Sequence, residues 1–360
     1  MPVPSAIGPR FLLPAALCRL GKPGLLAVGW LLAVAVGPVP GQAPAPAPAP
    51  AAAAAVAAPA AAGQRIKLST SDQVTLAAWY YPAVVQADAA TDKPAARRTP
   101  VVILLHDLGG SHKTLEPLAG ALQARGIAVV APDLRGHGAT TPAAGRGPAN
   151  AAAIKKPDFE AMVMTAGGQV RDQAAVIGDV EAVRNWIAGG PEAEKFDMTK
   201  LVIVGSGAGA AVAAHWTLLD ARWPDLATGP QGRQVRGLVL VSPAWATRGF
   251  AIAPALGDEP VQRSLPVLVI AGSQDTDAVK IYDQLKRQRP DGWNEKRSGQ
   301  DQPTQAAKLG ADGLPSLYLR QFDSRLTGDG LAAYVPKDPR GSYPATVIDG
   351  FLNAVTTAEP

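Results

Sequence analysis

Apolar runs without polar alternation constrain this chain most. PVVILLHD (100–107), IAVVAPD (127–133) and LVIVG (201–205) are hydrophobic at successive positions and rich in β-branched residues. A strand with one wet face alternates apolar and polar residues, so a continuous run implies a strand covered on both faces. VRGLVLVSPA, PVLVIAG and PSLYLRQFD extend the series, and helical patterns separate its members. KTLEPLAGALQARG places leucines at 115, 118 and 122, with Gly126 as a stop. QVRDQAAVIGDVEAVRNWIAGG reads as one long helix with Val176, Val180, Val183 and Ile187 on its apolar face and Asp179 and Glu181 as solvated charges beside it. Further helices are expected through roughly Ala208–Asp220, over DAVKIYDQLKRQ and over SYPATVIDGFLNAVTTA. RIKLSTSDQVTLAAWYYPA reads as a hairpin that turns at Ser71-Asp72. Strand and helix alternate repeatedly, which predicts an α/β fold: a doubly wound, mostly parallel sheet with helices on both faces. The stretches 139–168 and 290–314 are expected to be surface loops.

The N-terminal part is different in kind. Arg10, Arg19 and Lys22 precede the apolar run Gly24–Gly37, and small residues and prolines follow. That order describes a secretory signal peptide, with cleavage after Gly41 fitting better than after Ala43, which Pro44 follows directly. An uncleaved N-terminal anchor over 1–41 is the alternative. Residues 42–63 are Ala/Pro-rich without charge and read as a semi-rigid linker. The folded domain is expected over 64–360. The protein is therefore expected to be exported: periplasmic, secreted or membrane-tethered, touching a membrane only through its N-terminal segment.

The formal net charge of +4 is carried largely by the leader, whose three basic residues have no acidic counterpart. The rest has 31 basic and 30 acidic residues, and no basic stripe or zinc-finger spacing, so no nucleic-acid partner is expected. The only cysteine, Cys18, lies in the leader, so the domain has no disulfide and no thiol metal site. No cofactor or metal is called for.

Three motifs sit at successive strand ends: LLHDLGGSH, APDLRGHG and VGSGAG. Together they resemble the α/β-hydrolase superfamily, especially esterase-like and peptidase-like members with a minimal cap. The resemblance runs from about Arg65 to the C-terminus. It implies a nucleophile on a sharp strand-to-helix turn, a histidine base, an orienting acid and two backbone N–H groups for an oxyanion. The residues depart from that set. In the turn Gly205-Ser206-Gly207-Ala208-Gly209, the nucleophile position is Gly207, which has no side chain. Ser206 is the alternative nucleophile, but neighbouring side chains at a strand end point apart, so a hydroxyl bonded to local backbone is the expected reading. Gly328-Asp329-Gly330 stands where relatives carry the histidine, so Asp329 occupies a possible vacant base position. An aspartate is too weak a base to deprotonate serine well, and a plain turn residue is the simpler reading.

Asp275 matches the acid position, with a helix N-cap as its simpler role and Asp277 as a competitor. Leu108 and Ala208 would supply the oxyanion-hole N–H groups, a place for a small anion or a bound water. Among the histidines, His106 and His137 match structural positions, His215 is expected on a core or helix surface, and His112 is expected as a solvated loop residue that nothing orients. Trp245, Arg248 and Phe250 are candidates for the cleft mouth.

With nucleophile and base both missing, the expectation is a non-catalytic hydrolase homologue that binds an unknown small ligand or protein in the old cleft, or is structural at the cell envelope. The alternative is an active serine hydrolase on esters or peptides, with Ser206 and an unconventional base such as His112. A phosphate-binding reading of the glycine turn lacks the lysine that such a loop needs.

Overall fold

A computed structural model describes residues 62–84, 98–140, 147–165, 169, 176–225, 231–306, 314–336 and 342–357. The expected leader 1–41 and nearly all of the 42–63 linker lie outside the described residues. The strands are β1 (Gln64–Ser69), β2 (Thr75–Tyr81), β3 (Thr99–Leu105), β4 (Ala128–Pro132), β5 (Phe196–Ser206), β6 (Val235–Val241), β7 (Ala246–Thr247), β8 (Phe250–Ala251), β9 (Val267–Ala271), β10 (Trp293–Lys296), β11 (Thr304–Gln305) and β12 (Leu317–Gln321). The helices are α1 (His112–Gln123), α2 (Lys156–Val163), α3 (Asp179–Gly189), α4 (Ala208–Ala221), α5 (Ala253–Leu256), α6 (Thr276–Gln288), α7 (Gly328–Ala332) and α8 (Pro344–Thr357). Among the described residues no helix is long and apolar enough to cross a membrane.

Ten strands form one sheet in the order β1-β2-β4-β3-β5-β6-β9-β12-β10-β11. From β4 to β10 all neighbours are parallel; β1–β2, β2–β4 and β10–β11 are antiparallel. The continuous apolar runs are central strands covered on both faces. Ile103, Leu105 and Ile203 pack into the core under α3, α4 and α6, while Val102, Leu104, Val202 and Val204 pack under α1, α7 and α8. From β3 the chain crosses one way to β4, and β5 pairs on the other side. The carboxyl ends of β3 and β5 thus flank a topological switch point, where a crevice forms in an open α/β sheet.

Three local expectations need correction. Within the long helix expected over 169–190, described residues 176–178 are not helical and α3 begins at Asp179; Val176 is buried but precedes it, and residues 170–175 lie outside the described residues. The stretch 139–168 contains α2, held by the burial of Phe159 and Met162, and 290–314 contains β10 and β11, which extend the sheet. Asp179 and Glu181 are not solvated. Both are buried. Asp179 takes the Arg135 backbone N–H at 2.8 Å and its guanidinium at 2.6 and 2.9 Å, so the DLRGHG motif is clamped to the first turn of α3.

Glu181 is less well served. One oxygen accepts from Trp216 Nε1 at 3.2 Å; the other has no hydrogen bond, only the Arg184 guanidinium 3.7 Å away. Burial pushes its carboxyl up to about 7, against the pull of Arg184. The folded chain then binds this proton more tightly than the unfolded chain. The charged carboxylate costs stability fully above pH 7, and the cost fades as pH falls toward the ordinary glutamate range near 4.5. Glu181→Gln keeps an acceptor for Trp216. It should raise stability by about 1–3 kcal/mol at pH 8 and by little at pH 4.5. Urea unfolding at the two pH values checks this; an equal gain at both would contradict it.

Candidate functional site

The loop after β3 is positioned by two neutral histidines. His106 donates from Nδ1 to the Asp107 carbonyl at 2.8 Å and accepts the Leu134 N–H at Nε2 at 3.0 Å. His137 accepts the Gly109 N–H at 2.9 Å and donates to the Arg135 carbonyl at 3.1 Å. Burial lowers both pKa values, His106 to about 4, so each ring keeps one donor and one acceptor nitrogen. These are the structural roles the resemblance implies.

Opposite this loop, β5 runs into α4 through Gly207, whose φ of 52° and ψ of −116° place it in left-handed territory that glycine adopts freely. The strand-to-helix turn has kept its sharp form. The space beyond it is filled by the Asp107 side chain. Asp107 Oδ1 accepts the Leu108 N–H and the Ala208 N–H, both at 2.7 Å. These are the two donors expected to face an oxyanion. They converge on one point, and what sits there is the protein's own carboxylate, not the water or external anion expected from sequence. A β-carbon built on Gly207 would lie 2.0 Å from Asp107 Cγ, and one on Gly328 would lie 2.5 Å from Asp107 Oδ2. Both positions are moulded around this carboxylate. Burial raises its pKa, opposed by the two N–H bonds.

Asp329 forms a second junction. Its Oδ1 accepts the Asp107 N–H at 2.8 Å and the Ser206 hydroxyl at 2.7 Å, and its Oδ2 accepts from Thr114 Oγ1 at 2.5 Å. It lies in the first turn of the short helix α7, not in an open Gly-Asp-Gly turn. Ser206 is 0 % exposed, and its hydroxyl goes to this carboxylate rather than to local backbone as expected.

The structure therefore brings together Leu108, Ser206, Gly207, Ala208 and Asp329. Asp275 makes its hydrogen bonds elsewhere. Its Oδ1 caps α6 through the Ala278 N–H at 3.1 Å, and its other oxygen accepts from the Ser242 hydroxyl. Burial raises its pKa. Asp277 accepts the Trp245 N–H at 3.1 Å. His112 is not the solvated, unoriented loop residue expected. It opens α1, is buried, bonds Asp133 at 2.8 Å and stacks on Trp79 with ring centroids 3.2 Å apart. Its Nδ1 is thereby committed away from Ser206. Of the three candidates for the cleft mouth, Phe250 is buried on Phe159 and Arg248 is tied to backbone carbonyls.

Sequence reasoning missed Asp107. The usable signal was an acidic residue immediately before the expected oxyanion donor Leu108, in a chain whose elbow position is glycine.

A family model described as Serine aminopeptidase, S33 matches residues 96–284. Solved structures similar to this chain include an esterase from Pyrococcus furiosus, at 16% identity, with 82% of this chain and 93% of that one covered and a TM-score of 0.45. A fungal esterase from Rhizomucor miehei gives 14%, 82%, 84% and 0.48 for the same quantities. An α/β serine hydrolase without lid from Xanthomonas campestris gives 16%, 83%, 97% and 0.41. No curated protein matches.

The packing of Asp107 against Gly207 makes a measurable coupling. Gly207→Ala should destabilise the fold by about 2–4 kcal/mol, through left-handed strain and eviction of the carboxylate from two N–H groups. In the Asp107→Gly background the same substitution should cost at least about 1 kcal/mol less, read by a double-mutant cycle in urea. Strict additivity would show that the two residues do not compete for the same space.

Proposed function

Because the chain belongs to the serine aminopeptidase S33 family, we propose that it is a non-catalytic member whose elbow has been turned from a reaction centre into a structural junction. The observation that carries this reading is the position of Asp107. Its carboxylate takes both oxyanion donors and occupies the volume into which a residue-207 side chain would project. Acyl transfer needs a nucleophile there and an empty anion site beside it. Asp107 stands in for both as a fixed, unreactive anion.

The same reading gives the protein a binding or structural role at the cell envelope, with a small ligand or a protein as partner. Export is supported by the basic residues before the apolar run Gly24–Gly37.

A second reading has one observation in its favour: the 2.7 Å hydrogen bond from Ser206 to Asp329. A carboxylate can hold a hydroxyl proton but is a poor base for it, and Ser206 is buried. If it were live, esters or peptides would be the substrates.

Fluorophosphonate labelling of the folded protein, read by intact mass, separates the two readings. The expected result is no adduct. A covalent adduct mapped to Ser206, absent in Ser206→Ala, would overturn the non-catalytic reading.

A further inference from the structure

Helix α4 is buried along nearly its whole length: from Ala208 to Asp220 every residue but His215 is buried. Such a helix normally excludes water all round. His215 keeps partial access because it borders a half-open cavity of about 520 Å³, lined with it by Pro157, Ala161, Met164, Phe250 and Pro254. None of the elbow residues Asp107, Ser206, Gly207 or Asp329 takes part in its lining.

The walls are held in place. Arg248 and Gly249 turn the β7–β8 hairpin with φ of 50° and 79°. The Arg248 guanidinium donates to the carbonyls of Ala151, Ala152 and Ile154 at 2.7–3.0 Å, which clips this hairpin to the segment leading into α2. Phe250 stacks on Phe159 of α2, centroids 5.4 Å apart and 12° from parallel, and meets the His215 ring at 4.7 Å. A non-glycine residue held in left-handed backbone and an aromatic wall fixed from behind describe a cavity that exists before any ligand arrives.

Four of the described lining residues are polar: Lys156, Glu160, Thr165 and His215, and the Thr165 hydroxyl pairs with that of Ser71 at 2.8 Å. The exposed ion pair of Lys156 with Glu160 stands at its rim. His215 Nε2 lies 2.9 Å from the Ala251 carbonyl, which can only accept, so that nitrogen carries the proton. In the neutral ring, favoured by burial, Nδ1 is left as an acceptor. Volume, apolar lining and few polar groups match small-molecule sites.

We propose that this cavity binds a compact phenol, with its ring against Phe250 and its hydroxyl donating to His215. The probe is p-cresol, with toluene as the analogue that lacks the donor, followed by saturation-transfer NMR and calorimetry on the full protein. p-Cresol should bind saturably with a Kd of about 1 mM or tighter, and toluene at least about fivefold more weakly. His215→Phe should abolish that preference. Ala161→Trp should fill the cavity and remove both ligands; Met164→Trp serves the same purpose if the first variant fails to fold.

Absence of saturable p-cresol binding, equal binding of toluene to the wild type, or binding unchanged in both the His215 and the filling variants would each overturn the proposal. Fluorophosphonate reactivity does not enter these readouts, so this inference and the elbow reading fail separately.

Discussion

The carboxylate of Asp107 in the grip of two backbone N–H groups is the contact around which the crevice is organised. One N–H belongs to the loop after β3, the other to the first turn of α4. A negative group at a helix N-terminus is favoured by the unsatisfied donors there and by the helix dipole, and charge-assisted bonds are the stronger kind. Asp107 therefore ties the two central strands together at their carboxyl ends, where an open α/β sheet otherwise leaves a gap. Gly207 and Gly328 follow from this, since a β-carbon on either would collide with the carboxylate.

Asp329 extends the junction by gathering the Asp107 backbone, Ser206 on β5 and Thr114 on α1. Two carboxyl groups thus sit close together, and each is held by hydrogen-bond donors rather than by a cation. The histidines nearby contribute no positive charge, because burial holds His106 and His137 in their neutral forms. Asp275 and His112, the other groups from which a relay would be assembled, are bound to Ser242 and Asp133 instead. Every polar group that chemistry would require has been given a structural partner. The cavity bordered by His215 lies outside this closed junction.

Much of this was legible in the sequence. Continuous apolar runs identified the central strands because burial on both faces leaves no room for alternation. The sharp turn at Gly207 and the convergence of the Leu108 and Ala208 N–H groups were readable because a turn geometry and backbone groups depend on position rather than on neighbours. The errors share a cause. Glu181 reads as a surface charge on a helical wheel, yet the packing of α3 on α4 encloses it against Trp216. His112 reads as a loop residue, yet Asp133, just past β4, and Trp79 on β2 enclose it. Helix α2 is short and weakly patterned, and it is stabilised by what Phe159 meets across the fold.

By itself the sequence determined the α/β architecture, the order of its central strands, and the absence of a side chain at the elbow. These are properties of local pattern and of one residue's identity. Only the tertiary structure decided what fills that absence. Asp107 and Gly207 are separated by 100 positions, and local pattern around either does not show that the two meet. They meet because β3 and β5 are adjacent and parallel, and the volume that glycine leaves free is defined only once both strand ends are in place.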